Sequence, residues 1–280
     1  MVPAQASDEP LARVRNDGTV RIGFRAGAVP FSYTLPGTPK PVGYAIDICE
    51  RAIDELRKSL KMPRLAIEFV PVDNQERFTA LAAGKIDMEC ANTTITRDRR
   101  AKGFGFSLPY FMTGSRVMAR SALNAGGIKD LAGSTVILME GTTTAAIVRN
   151  NFPTFKYVSA PKRALALELL ESGKADALVE DDTVLYGLRA ASKTPTAYTV
   201  IGSYLSIEPF AVMLPQGDSQ LKPVLDRTLR DMIRSGELTA LHKRWFQSPI
   251  PPRGDVLDIP MAFLMRDFMR FPVDDTNAYP

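Results

Sequence analysis

The 280-residue chain sets 35 Lys and Arg against 31 Asp and Glu, a formal net charge of +4, and is 45% hydrophobic. That length allows one large domain or two modest ones, with a sizeable core either way. No stretch reaches the roughly 18 apolar residues of a membrane helix, and the scattered basic residues mildly favour anionic ligands while arguing against nucleic acid.

The opening MVPAQASDEP lacks the apolar stretch of a signal peptide. Ala4-Gln5-Ala6 reads either as the small-residue end of one or as chance. Residues 1–17 are expected to form a flexible polar lead-in. Thr19–Phe24 alternates Val20, Ile22 and Phe24 with Arg21 and Gly23, which predicts a strand with Arg25 at its C-terminal end. A Gly- and Pro-rich loop to Pro41 precedes a helix over Ala45–Leu60, with Ile46, Cys49, Ile53, Leu56 and Leu60 on one face. Leu65–Val72 predicts a strand and Asn74–Ala83 a helix closed by Gly84. This rhythm argues for βαβ units and a mainly parallel sheet. Ligands in such folds bind beyond the carboxyl ends of strands, where Arg25 and Asn92–Thr94 fall.

The stretch Gly84–Phe111 concentrates the polar chemistry. Ile86–Cys90 alternates apolar with acidic residues, and the strand is expected to break into Asn92-Thr93-Thr94. Thr96 reads as the N-cap of a short helix carrying Asp98 and Arg99. Hydroxyls, an amide and a guanidinium at one strand end suit a carboxylate. An ordinary turn with a solvated Arg99 explains the spacing equally well.

After Phe106–Tyr110 the rhythm restarts as a second α/β unit. Strands are expected at Arg116–Ala119, Thr135–Met139, around Tyr157, at Ala175–Glu180 and at Tyr198–Ile201. Between them lie a short helix at Ile128–Leu131, a helix opened by Gly141-Thr142-Thr143-Thr144, and Lys162–Ser172 with Pro161 in its first turn. A further helix runs to about Ala191. Phe210–Leu214 predicts a returning strand, and Ser219–Arg234 and Leu238–Phe246 predict helices. Ser248–Pro252 is expected to be extended. Met261, Leu264, Met265, Phe268 and Met269 recur at helical spacing, as a partner-docking face or a clasp on the protein's own core.

Several of these segments, in this order, resemble the amino-acid-binding family 3 extracellular solute-binding proteins of ABC importers. The residues are Glu89-Cys90-Ala91-Asn92-Thr93-Thr94, then Arg99, then Phe106-Ser107-Leu108-Pro109-Tyr110-Phe111. Gly43–Asp47, Ser134–Thr143, Glu171-Ser172-Gly173, Asp181-Asp182 and Ser248–Pro252 extend the likeness from about Arg21 to Phe271, and it is strongest to the glutamate/aspartate branch. The resemblance implies a two-lobed, type II periplasmic-binding-protein-like α/β fold, each lobe a central, mostly parallel sheet flanked by helices. Lobe 1 would comprise 18–111 plus 209–280 and lobe 2 113–206, with a hinge near 110–114 and 206–210 that permits closure. It further implies a monomer in the periplasm or another extracytoplasmic space, without cofactor or metal, that binds L-glutamate or L-aspartate and delivers it to ABC permease subunits.

Site roles follow from the same resemblance. Arg99, Thr94 and Thr143 would clamp the α-carboxylate beside the Thr142 turn. Asp181 and Asn92 would hold the ammonium, and Arg25 and Arg77 the side-chain carboxylate, with Thr93 adjoining. Against these stand plainer readings: a Thr of the Gly141–Thr144 turn and Asp181 as helix caps, and Arg25 and Arg77 as surface charges. The sequence departs from the branch at Asn74 and Asn92, where Ser is usual, and at Arg163, where His would line the pocket. Arg163 is therefore either a third cation at the side-chain end or a solvated residue. Cys49 and Cys90 are either buried thiols or, as export and the resemblance favour, a disulfide.

Two rivals remain. A dehydratase on the same fold would need a pocket acid, for which Glu140 and Glu180 are the candidates; a receptor ectodomain would share the binding site. His242, the sole histidine, lies in a late helix, which argues against a Ser-His or Cys-His pair, and no metal-spaced Cys/His cluster occurs.

Overall fold

The computed structural model describes residues 10–218 and 220–274. Ala4-Gln5-Ala6 and the last residues of the chain lie outside the described residues. Helix α1 (Pro10–Asp17) leads into strand β1 (Thr19–Phe24). Leu11 and Val14 of α1 are buried in the core, so from Pro10 onward the expected flexible lead-in is instead a docked helix. Leu11 and Val14, three apart, share one helix face.

Three short strands, β2 (Gly27–Ala28), β3 (Ser32–Thr34) and β4 (Pro41–Val42), form a small antiparallel sheet in the stretch expected to be loop. They are too short for alternation to register. Helix α2 (Tyr44–Leu60), strand β5 (Ala66–Pro71), helix α3 (Glu76–Ala82) and strand β6 (Met88–Thr94) follow. All of β6 is buried, and the polar run expected to interrupt it is its final part. Its polarity is absorbed by tertiary partners, a compensation that local patterning does not reveal. Helix α4 (Arg97–Ala101), capped by the Thr96 hydroxyl, and strands β7 (Phe104–Phe106) and β8 (Phe111–Thr113) complete this part.

The second unit contains β9 (Ser115–Arg120), β10 (Thr135–Met139), α5 (Thr143–Asn151), β11 (Lys156–Ala160), α6 (Arg163–Glu171), β12 (Ala177–Asp181), α7 (Asp182–Ala191) and β13 (Tyr198–Ile201). Lys162 is the N-cap of α6, so Pro161 precedes the cap rather than occupying the first turn. The chain then returns through β14 (Glu208–Pro215) to α8 (Leu221–Ser235), α9 (Glu237–Phe246) and α10 (Phe263–Phe268).

The first sheet runs β5-β1-β6-β14-β7, with β8 also on β14; the second runs β11-β10-β12-β9-β13. Pairing is parallel among β5, β1 and β6 and among β11, β10 and β12, and antiparallel elsewhere. The mixture follows from the crossings. Strand β14 enters the first sheet from the end where β6 finishes, pairing Phe210 with Thr94, and so must run opposite to it. Between Ala211–Thr93 and Met213–Glu89 the register shifts, a bulge in β6 at Cys90-Ala91-Asn92. Bulges re-aim side chains next to functional sites.

One continuous core surrounds the first sheet and takes in Trp245, Phe246 and Ile250, while separate clusters cover the second sheet. Phe31 meets Phe111 at 4.9 Å and Phe210 at 5.2 Å, edge to face. Cys49 of α2 and Cys90 of β6 form a disulfide across this core, with Cα atoms 6.5 Å apart. The Ser248–Pro252 segment is not extended; it folds into a turn closed by the Ile250–Asp255 bridge. Proline's fixed φ serves a turn as well as an extended chain. Of the methionine-rich stripe, Met265 is buried and Met261, Phe268 and Met269 pack on the first core, whereas Leu264 is exposed. That is the clasp arrangement.

Candidate ligand-binding cleft

The predicted site residues arrive at the carboxyl ends of strands from both sheets, as expected for α/β units. Arg25 follows β1, Asn74 and Arg77 lie before and within the start of α3, and Asn92, Thr93 and Thr94 end β6. Arg99 is on α4, Thr142 and Thr143 open α5, Arg163 opens α6 and Asp181 ends β12. All are buried except Thr142 and Thr143, which are half-buried.

Arg25, Arg77, Arg99 and Arg163 are the only buried Lys or Arg side chains among the described residues. Burying a guanidinium costs several kcal/mol unless charge and hydrogen bonds compensate, roughly as for any ion. Burial pushes the Arg25 pKa well below the usual arginine value, Arg163 and Arg77 depress it further, and Glu89 and Glu180 oppose them. Burial likewise lowers Arg77, and lowers Arg99 to about 9.

Arg77 Nη1 donates to Thr93 Oγ1 at 2.6 Å and Nη2 to the Gly141 carbonyl at 3.4 Å, with Glu89 Oε1 3.8 Å from Nη1. Arg99 Nη1 donates to the Thr94 carbonyl at 2.6 Å. The Phe78 ring lies against both guanidiniums, 4.7 Å from the Arg77 carbon and 5.2 Å from that of Arg99. Arg163 is buried rather than solvated, with Nη2 3.5 Å from Glu180 Oε1.

Across the junction, Asn92 Nδ2 donates to Asp181 Oδ2 at 3.0 Å. The Asp181 side chain does not cap α7, so the plainer reading of that residue is not realised. Burial raises its carboxyl pKa well above the ordinary value; Glu180 and Glu208 add to this, while Arg163 and Asn92 partly offset it. Thr142 does cap α5, accepting from the Ala145 N–H at 3.1 Å and donating to the Met139 carbonyl at 2.7 Å. The Thr143 hydroxyl donates to Glu208 Oε2 at 2.8 Å.

Several buried polar atoms here lack a hydrogen-bond partner among the described residues: both ends of the Asn74 amide, Arg77 Nε, Asn92 Oδ1, and Arg163 Nε and Nη2. Cavities flank this cluster. One of about 770 Å³ lies on the Arg99 side, walled by Phe78, Thr94, Thr143, Ile147 and Ile207. One of about 390 Å³ lies on the Arg25 side with Asn74 and Arg163. Gly141, at φ +73°, is where the two walls meet: a Cβ there would lie 2.8 Å from Gln75 Cγ and 3.1 Å from the Asn74 carbonyl oxygen.

Sequence reasoning missed Glu89, Glu208 and Phe78. An acidic residue in an alternating strand looks solvated, and burial of β6 on both faces removes that option for Glu89. Glu140 is excluded as a pocket acid: Arg149 binds it at 2.6 and 3.2 Å, and with Ser159 holds its pKa down to about 2. His242 stacks on Phe246 at 4.6 Å, inside the first core.

Residues 20–248 match the family of bacterial extracellular solute-binding proteins, family 3. The L-glutamate/L-aspartate-binding protein of Pseudomonas aeruginosa is 32% identical, covering 94% of this chain and 88% of that protein. The glutamate/aspartate import solute-binding protein of Escherichia coli is 30% identical over 97% of this chain and 90% of its own length. Among solved structures, an ancestral amino acid-binding protein described as a precursor of cyclohexadienyl dehydratase superposes with a TM-score of 0.74. It is 27% identical, covering 85% of this chain and 99% of that one. With its paired α/β sheets, its polar junction and this match, the chain belongs to family 3 of the bacterial extracellular solute-binding proteins.

Proposed function

We propose that this protein captures an acidic L-amino acid, glutamate or aspartate, between its two lobes and delivers it to the permease subunits of an ABC importer from the periplasm. It acts as a monomer and makes or breaks no bond. The observation that carries this reading is the convergence of four buried arginines on one junction that also holds the buried Asp181. A ligand with two carboxylates and one ammonium matches that charge pattern, and the named relatives bind or import such ligands.

Arg99, Thr94 and Thr143 take the α-carboxylate, assisted by the backbone of the Thr142 turn. Asp181 and the unpartnered Asn92 Oδ1 accept from the ammonium. Arg25 and Arg77 take the side-chain carboxylate, with Thr93, Asn74 and Arg163 around it. Lobe 1 spans 18–111 and 209–280 and lobe 2 113–206. The two connections lie at β8 and the start of β14, which pair Phe111 with Phe210 and Thr113 with Glu208, and they supply the hinge.

The test is calorimetric titration of ligand-stripped protein with glutamate, aspartate, glutamine, asparagine and arginine. Binding confined to the two acids is expected. Tight binding of arginine with silence from the acids would overturn the roles of Arg25 and Arg77.

A further inference from the structure

The smaller cavity adjoins Arg25, one of the two guanidiniums assigned to a side-chain carboxylate. Its walls include Arg25 and Asn74 on one side and Lys162 and Arg163, at the start of α6, on the other. Asn74 is 3% exposed and neither end of its amide has a hydrogen-bond partner among the described residues. Whichever way that amide is turned, it presents both a donor and an acceptor. A ligand carboxylate satisfies the donor only, because the acceptor requires an N–H. A substituted amide supplies that N–H, and a carboxylate one carbon beyond its nitrogen can take the Asn74 donor.

Arg163, 6% exposed, adds Nε and Nη2 without hydrogen-bond partners. Those two N–H groups form one edge of the guanidinium fork, the geometry that grips a carboxylate through parallel bonds. Of the acidic groups nearby, Glu180 alone faces that edge, and it leaves the hydrogen-bonding positions unfilled. Glu180 Oε1 is 3.5 Å from Nη2 and offsets charge without a hydrogen bond. Asp73 turns back to the N–H groups of Gln75 and Glu76 at 2.9 and 2.7 Å, and Glu76 is exposed.

We infer that the ligand class extends to acidic amino acids whose side-chain end is an amide bearing a further carboxylate, as in a γ-glutamyl dipeptide. The amide N–H pairs with the Asn74 oxygen, and the terminal carboxylate spans the Asn74 N–H and the Nε/Nη2 edge of Arg163, beside Arg25. The cavity volume of about 390 Å³ is many times the roughly 30 Å³ share of one water, room for a glycine-sized extension. This inference rests on the proposed function for the α-amino and α-carboxylate end.

The experiment titrates ligand-stripped wild type with L-glutamate, γ-L-glutamylglycine and γ-L-glutamylmethylamide, the last keeping the amide without the terminal carboxylate. The expected result is that γ-glutamylglycine binds at least as tightly as glutamate and about tenfold tighter than the methylamide. Arg163→Gln, verified as folded by its melting curve, should close the gap between the two amides. Glutamate binding without γ-glutamylglycine binding, or equal affinity of the two amides for wild type, would overturn the extended subsite and leave the proposed function standing. Silence from all three ligands would overturn both.

Discussion

At the Arg99 end of the cleft the guanidinium is already anchored. It donates to the Thr94 carbonyl, lies over Phe78 and sits on a helix capped by Thr96. At the Arg25 end, by contrast, Asn74 and Arg163 keep polar atoms without hydrogen bonds, and burial, then the cationic neighbours Arg163 and Arg77, lower the Arg25 pKa. A group held rigid by its own protein suits a feature every ligand shares, the α-carboxylate. Groups left unsatisfied suit the feature that distinguishes ligands, because a wrong side chain leaves them buried and unpaired. On the proposed function, the difference separates affinity from selectivity along one cleft.

The strongest way to break that division is Arg99→Ala. Removing one partner of a buried charge pair costs about 2–5 kcal/mol, so binding of every amino acid should fall by at least about thirtyfold in calorimetry. An unchanged Kd would show that Arg99 is not the shared clamp.

Asp181→Asn should come next, and pH sharpens it. The raised pKa of Asp181 means that it takes up a proton at a higher pH than an ordinary carboxylate. Ammonium binding needs the ionised form, so affinity should fall as pH drops through the raised pKa, above the range where an ordinary carboxylate titrates, and Asp181→Asn should flatten the slope. The sign for folding is opposite. The native state holds this proton more tightly than the unfolded chain, so the residue's contribution to stability declines as pH rises through its raised pKa.

Arg77→Ala belongs to the selective end. The ratio of glutamate to glutamine affinity should shrink by about tenfold, with overall binding reduced less than by Arg99→Ala. A loss equal for both ligands would move Arg77 out of the side-chain clamp.

The smallest effect on binding is expected from Cys49→Ser with Cys90→Ser. The bridge spans a sequence separation of 41 residues, which on the chain-entropy account contributes about 3–4 kcal/mol of stability. Thermal unfolding should shift clearly downward while glutamate affinity at room temperature stays within about threefold. A larger binding loss would tie the cleft to the α2–β6 staple.

Much of this architecture was present in local pattern. Thr19–Phe24, Thr135–Met139 and Tyr198–Ile201 alternate or run apolar, and they form strands with those bounds. Thr96 announced the cap of α4, because N-cap chemistry is decided within a few residues. Alpha1 and the β2–β3–β4 sheet escaped notice because each is short and depends on docking rather than periodicity. The continuation of β6 through Asn92-Thr93-Thr94 escaped for a related reason: a polar run reads as a break until partners from α3 and β12 satisfy it.

The sequence by itself determined most of the longer helices and strands, which residues carry charge, and, through motifs in a shared order, the family. Tertiary structure alone decided that four distant arginines share one buried junction, that Asp181 meets Asn92 rather than capping α7, and that Glu140 is tied to Arg149 outside it. The physical reason is range. Helix caps and strand alternation are set by neighbours within a turn, whereas burial and charge pairing depend on residues tens of positions apart that only the folded chain brings together.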